Sequence, residues 1–353
     1  MQNKHVEKAF VLFCIVVLCA GLSSCRPKAA KRYEATFLNL FDTETKIVSY
    51  TDDKDQFTAY ANEIYDRLKV YHQLYDIYHD YHGINNLRTV NDNAGERPVK
   101  VDRKIIDLLL FAKKGYELTK GETNVAMGSV LRIWHKYREE GVDDPENARL
   151  PSKKELQDAA GHMNMDDVVI DEKNSTVFLR DPKMSLDVGA IAKGYAVEQV
   201  CRKMKDDGMT SCLVSVGGNV EAIGLKSSDN TPWKVAVENP DKSSKKEHLK
   251  VVLLEDAALV TSGNYQRYYM VDGKRYHHLI DKDTLYPSRY FAAVTIWCRD
   301  SGKADLLSTA VYNMPYREGK KLIESLPDTE AMWVYSDGAL KYSTGFLSKT
   351  EAE

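Results

Sequence analysis

The chain has 353 residues, 43% apolar, 10% aromatic and 29% charged, enough apolar mass for a sizeable core and unlike a disordered tract. Its 49 basic and 52 acidic side chains leave a formal net charge of −3, so there is no positive excess to hold a phosphate backbone by counterion release, and nucleic acid is not an expected partner. Tyrosine is abundant, 21 residues against 9 phenylalanines, which favours pockets that use a ring and a hydroxyl together.

The first residues read as an address. Lys4 and Lys8 precede a wholly apolar run from Ala9 to Ala20, which is short for a membrane span. Leu22-Ser23-Ser24-Cys25 follows and resembles a bacterial lipobox, so residues 1–24 are expected to be a lipoprotein signal peptide and Cys25 the acylated residue. Residues 25–34 then form a basic tether, and residues 35–353 one folded domain, single or of two intimate lobes. The expected location is the bacterial cell envelope, lipid-anchored and facing the periplasm. Beyond the leader, Cys201, Cys212 and Cys298 are scattered without CxxC spacing, and no HExxH occurs. Buried thiols are expected, not a disulfide framework or a thiolate zinc site.

A strand-like stretch covers Ala35 to Tyr50, and helical spacing of Phe57, Ala61, Ile64, Leu68, Tyr71 and Tyr75 follows, with Asp52 or Asp53 as cap. A polar, tyrosine-rich turn region, Tyr75 to Asn93, leads to a second helix capped by Asp102 and stopped by Gly121. Ser152 and Glu155 have capping-box spacing for a third. Val168 to Ile170 and Thr176 to Leu179 suggest a hairpin, and a helix runs from about Ala190 to Lys205. Strands are expected at Ser211 to Val216, Trp233 to Val237 and Leu249 to Leu254. Asp272-Gly273 marks a hairpin between Tyr268–Val271 and Arg275–Ile280. Phe291 to Trp297 reads as a strand, Ser301 to Asn313 as a helix, and Asp337-Gly338 as the turn of a last hairpin. Strands neither alternate with helices nor dominate, so the fold class is α+β.

Chemistry concentrates in four segments. Asp187 to Ala196 enters a helix through glycine, where free N–H groups and the helix dipole favour an anion, with Asp187 as acceptor and Lys193 as cation. Alone it reads as a plain helix start. Gly217-Gly218 ends a buried strand and permits either close backbone approach or a simple turn. Strand alternation sets His278 and Ile280 on one face, His277 and Leu279 on the other. Asp305, Ser308 and Thr309 share one helix face; such hard oxygens suit Mg2+ completed by waters and a phosphate, and alone the spacing equally reads as a solvated helix face with a capping acid.

Together these segments resemble the FAD:protein FMN transferase family, also called the ApbE family and formerly thiamine biosynthesis lipoproteins. Asp187 to Ala196 resembles the family's D-x-G-x-I-A-K-G-Y-A stretch, Val216 to Gly224 its GGD-type loop, Thr261 to Pro287 its T-S-G-D-Y…Y-x-H-x-I-D-P-x-T-G-x-P block, and Ala304 to Thr309 its A-D-x-x-[DS]-T helix. The resemblance implies a T-fold-type α+β architecture of mixed and antiparallel sheets with packed helices. It implies Mg2+ held by the Ala190 carbonyl, Asp305, Ser308 and Thr309, and a FAD site lined by Asp187, Lys193, Gly217, Gly218 and Ile280. Phe41 stands at the methionine of the family's M-G-T, Tyr78 at an aromatic that lies against flavin or adenine, and Thr123-Asn124 at the start of an F-D-x-T-V-G-P-like segment. Departures are Phe41-Asp42-Thr43 for M-G-T, Asn219 for the GGD aspartate, and Lys282 and Leu285 for the proline and glycine of D-P-x-T-G.

The reaction implied moves FMN from FAD to a threonine or serine of an acceptor protein and releases AMP, with His278 as base or positioning group. The implied acceptors are flavin-carrying subunits of ion-translocating oxidoreductases or related reductases. Water as acceptor would make the chain a FAD pyrophosphatase, and FAD without turnover a flavin-binding lipoprotein.

Overall fold

The computed structural model describes residues 30–352; the leader and Cys25 lie outside the described residues. The strands in chain order are β1 (Lys31–Leu40), β2 (Thr43–Thr51), β3 (Val99–Lys100), β4 (Val168–Asp171), β5 (Thr176–Leu179), β6 (Cys212–Val216), β7 (Asn219–Ile223), β8 (Trp233–Glu238), β9 (His248–Leu254), β10 (Ala257–Gly263), β11 (Tyr268–Val271), β12 (Lys274–His277), β13 (Ala293–Cys298), β14 (Thr329–Val334) and β15 (Leu340–Tyr342). The helices are α1 (Lys54–Tyr75), α2 (Leu87–Asp92), α3 (Arg103–Leu118), α4 (Gly128–Asp143), α5 (Lys153–Ala160), α6 (Ala192–Asp206), α7 (Ser301–Tyr312) and α8 (Tyr316–Glu324).

Eight strands form one sheet, in the order β1-β2-β6-β7-β10-β13-β14-β15, with every neighbouring pair antiparallel. All six residues of β13 are buried because both faces of the sheet are covered. Val294, Ile296 and Cys298 enter the core on the side of α1, α6 and α7, while Ala293 and Trp297 enter a second core under the β8–β9 hairpin. Fully burying a side chain such as Val294 or Ile296 stabilises the fold by about 1.5–3 kcal/mol. A third apolar cluster joins α4 to the β11–β12 hairpin, Ile280 and Leu285. Among the described residues no helix is long and apolar enough to cross a membrane. Cys201, Cys212 and Cys298 are free, buried thiols, and burial pushes Cys212 up to about 12.

The capping residues act as their chemistry predicts. Asp53 accepts from the N–H groups of Asp55 and Gln56, Asp102 from Lys104, and Ser152 from Glu155. Gly121 closes α3 in the left-handed region, its N–H donating to the Tyr116 carbonyl at 2.8 Å.

The stretch from Ala35 to Tyr50 is a hairpin, turned by Phe41 (φ 54°) and Asp42 (φ 51°) in left-handed conformations without the usual Asn-Gly or Asp-Gly pair. The region from Tyr75 to Asn93 contains α2, opened by a capping box between Asn86 and Thr89. Helices α4 and α8 carry no side-chain N-cap hydrogen bond and were not anticipated. The return strand β12 stops at His277: Leu279 N–H donates to His277 Nδ1 at 3.2 Å, and the ring reaches the Ser288 carbonyl at 2.8 Å through Nε2. Strict alternation therefore fails beyond this point, and His277, Leu279 and Ile280 are all buried.

Candidate active site

A cavity of about 750 Å3 opens between the helix-covered side of the main sheet and the third apolar cluster. That is within the range of pockets that take drug-sized or cofactor-sized molecules. The β1–β2 turn, the loop after α1, α4, the start of α6, β10, the β12 exit and α7 all contribute to its wall.

The α6 start and α7 meet at Gly194, whose N–H donates to Asp305 Oδ2 at 2.8 Å. A Cβ on Gly194 would lie 2.4 Å from Asp305 Cβ and 2.4 Å from the Ser301 carbonyl oxygen, so only glycine permits this approach. Burial pushes the Asp305 carboxyl upward, while Lys193, the Gly194 N–H and the Asn219 amide favour the charged form. Asn219 Nδ2 is itself buried outside hydrogen-bond geometry, so it acts on Asp305 as a nearby dipole. Asp305, Thr309 and Ala190 border the cavity. Ser308 does not: its hydroxyl donates to the Asp305 carbonyl at 2.9 Å and meets the Ser262 hydroxyl at 2.8 Å.

Among the described residues no three His, Cys, Asp or Glu side chains form a metal cage. Asp305, Thr309 and Ala190 nonetheless border one cavity, and a carboxylate with a nearby hydroxyl suits Mg2+, because this ion keeps several waters and shares its shell with phosphates.

Asp187 is held by an N–H from Gly189 to Oδ1 at 2.8 Å, and its own N–H donates to Val125 O at 2.8 Å. Burial raises its pKa, opposed first by Gly189 and then by His135, Lys193 and Arg267. Lys193, Gly217 and Ile280 also border the cavity. Gly217 and Gly218 (φ 54° and 87°) form the two-residue turn between β6 and β7, and Gly218 points outward, exposed and apart from the cavity. Thr123 and Asn124 line the wall as fixed structure. The Thr123 hydroxyl donates to Leu306 O at 2.9 Å, while the Asn124 amide donates to Met163 O at 3.0 Å and accepts from Ala126 N–H at 2.9 Å. Tyr78 is 45% exposed and stacks on His135, with centroids 5.0 Å apart.

Phe41 borders the cavity, and its N–H donates to His72 Nδ1 at 3.2 Å. That makes Nε2 the protonated nitrogen, able to donate to Tyr81 Oη (3.2 Å), which in turn donates to Asp76 Oδ2 at 2.8 Å. Burial depresses His72, so its ring stays neutral in this chain of bonds. Neither His72 nor Asp76 was anticipated, because their helix-and-loop spacing carries no motif and only the fold brings them to the turn.

His278 borders the same cavity. Its Nδ1 lies 3.2 Å from the Arg267 carbonyl oxygen, which can only accept, so Nδ1 bears the proton and Nε2 keeps a free lone pair. Burial, with Arg267, His277 and Arg138 adding to it, pushes its pKa down to about 3. The ring is therefore neutral at pH 7. At the two departures in the following turn, Leu285 adopts φ 62° and its carbonyl accepts from Trp134 Nε1 at 2.8 Å, while Lys282 pairs with Glu122 at 3.4 Å.

An α+β fold whose cavity joins hard-oxygen donors, a bare imidazole nitrogen and arginine side chains is suited to phosphorus chemistry on a nucleotide-sized molecule. The ApbE family model matches residues 41–333, and the chain belongs to this family. It is 30% identical over 353 residues to the FAD:protein FMN transferase of Treponema pallidum, covering 96% of this chain and 94% of that relative. It is 27% identical over 277 residues to the enzyme of the same name from Klebsiella pneumoniae, 78% and 82% of the two chains. The crystal structure of the ApbE protein of Thermotoga maritima superposes with a TM-score of 0.79 at 29% identity, covering 91% of this chain and all of that one. The flavin transferase ApbE of Vibrio cholerae shares the fold, with a TM-score of 0.75 at 23% identity over 91% and 99% of the chains.

Proposed function

We propose that the chain transfers FMN from FAD to a threonine or serine hydroxyl of an acceptor protein and releases AMP, in a Mg2+-dependent reaction at this cavity. The observation that carries the reading is the fixed tautomer of His278, whose unprotonated Nε2 belongs to a residue bordering the same cavity as Asp305, Thr309 and Ala190. In the step, the acceptor oxygen bonds to the FMN-side phosphorus and its proton passes to Nε2. The bond from that phosphorus to the bridging oxygen breaks, and AMP leaves with that oxygen. Asp305, Thr309 and the Ala190 carbonyl would hold Mg2+, with Ser308 supporting Asp305 through its carbonyl. When bound, the ion neutralises pyrophosphate charge and stabilises the leaving phosphate. Lys193 adds a cation on the same wall, and Asp187 and Ile280 border the space for the nucleotide.

The lipobox-like Leu22 to Cys25 supports a lipid anchor and an envelope location facing the periplasm. Acceptors there would be flavin-carrying subunits of ion-translocating oxidoreductases or related reductases. The test is to incubate leaderless protein with FAD and Mg2+, with and without an acceptor domain, following AMP and in-gel flavin fluorescence. AMP with a fluorescent acceptor band establishes transfer. AMP with free FMN and no labelled band indicates hydrolysis instead, and bound FAD without AMP indicates a flavin-holding protein.

A further inference from the structure

Two arginines at the cavity have no carboxylate partner among the described residues. Arg138 comes from α4 and Arg267 from the segment between β10 and β11, and both border the cavity. Among the described residues no carboxylate oxygen lies within 4.0 Å of either guanidinium. Glu139 and Asp187 act on Arg138 at longer range, and Glu139 is engaged by His135 Nε2 at 3.0 Å. Yet the Arg138 guanidinium and the Arg267 backbone are positioned. Arg138 Nη2 donates to His135 Nδ1 at 2.6 Å, and the Arg267 carbonyl accepts from both the backbone N–H and the Nδ1–H of His278.

Like charges on one cavity wall without a contacting counterion are unfavourable, and burial makes a charge costlier still; Arg267 is exposed and Arg138 half-buried. Arg138 shows both effects: burial and then the Arg267 charge pull its pKa below the usual guanidinium value. A fold that sets two guanidiniums on the wall of one cavity, with Asp187 acting on them only at longer range and no carboxylate among the described residues in ion-pair contact, presents a site for an external anion. Guanidinium forks match the oxygens of phosphate. Both cations also act on His278, which borders the same cavity.

We propose that Arg138 and Arg267 form a two-guanidinium subsite beside His278 that binds a phosphate of the substrate nucleotide. This inference rests on the FMN-transfer reading above and adds to it two phosphate-contacting residues. The phosphate has two possible sources, the FMN side of FAD and the AMP portion, which separate in the reaction.

The test measures binding of FAD, AMP and riboflavin by fluorescence or calorimetry to the Mg2+-loaded protein and to R138Q, R267Q and the double variant. Each single variant is expected to weaken FAD by about 10- to 100-fold, the range of a lost charge-assisted hydrogen bond, with riboflavin unchanged. AMP weakened in parallel assigns the subsite to the AMP phosphate; AMP unchanged assigns it to the FMN phosphate. R138K and R267K, which keep charge but lose the fork, should recover part of the loss. Double-variant FAD affinity within about twofold of the parent overturns the proposal, as does an equal loss of riboflavin, which would make the arginines structural. Failure of the parent protein itself to bind FAD would instead sink the transfer reading.

Discussion

The backbone N–H of Gly194 donates to Asp305 Oδ2 across the α6–α7 junction at 2.8 Å, so the helix start that favours anions and the carboxylate suited to a cation are built as one unit. Gly194→Ala should break it. The added methyl would meet Asp305 and the fixed Ser301 carbonyl at 2.4 Å, and overpacking of this kind costs about 1–3 kcal/mol. A lower thermal midpoint together with a weakened Mg2+ effect on FAD binding is expected; an unchanged midpoint would contradict the tight junction.

Asp305→Asn keeps an oxygen for the Gly194 N–H but removes the charge. The protein should fold with a near-normal melting temperature, while FAD affinity ceases to respond to Mg2+. Titrations of FAD with and without the metal check this, and a preserved metal response would move the cation elsewhere.

His278→Ala should reduce FMN transfer by about 10²–10⁴-fold, the usual contribution of a positioned base, and leave FAD binding largely intact. In the parent protein, kcat/KM should show no acid limb from His278 near its ordinary pKa. A base depressed to about 3 is protonated, and lost, only as pH falls toward that value. A limb centred near 6.5 would show that the neighbouring arginines and burial do not set its basicity.

Glu221 on β7 is buried with Oε2 unpartnered, and burial reinforced by Glu198 holds its carboxyl well above the usual range. The folded state therefore keeps a proton that the unfolded chain releases above about 4.5. Stability from this group is complete below that value and falls as pH rises toward the folded pKa. Glu221→Gln removes the titration, so the variant's advantage in thermal midpoint should grow between pH 5 and pH 8. Parallel curves for variant and parent across that interval would reject the argument.

The capped helices, the Asp272-Gly273 and Gly217-Gly218 turns and the α+β class were legible because each depends on neighbours in sequence: a side chain reaching an N–H two or three residues on, or a glycine adopting positive φ. The four ApbE-like segments were legible for a related reason, since each keeps its chemistry in a short run of residues. The Phe41–Asp42 turn was not, because a left-handed pair without glycine is held by the distant His72 ring and not by its own preference. Nor were the outward position of Gly218 and the engagement of Ser308 by Ser262, which are set by a turn's direction and by a strand crossing the helix. Residue types and local order thus determined which groups were available for phosphate, metal and proton chemistry. The tertiary structure decided which of them share a cavity, which nitrogen of His278 carries its proton, and that Arg138 and Arg267 make no carboxylate contact among the described residues, because contacts between elements far apart in sequence fix hydrogen-bond partners and desolvation.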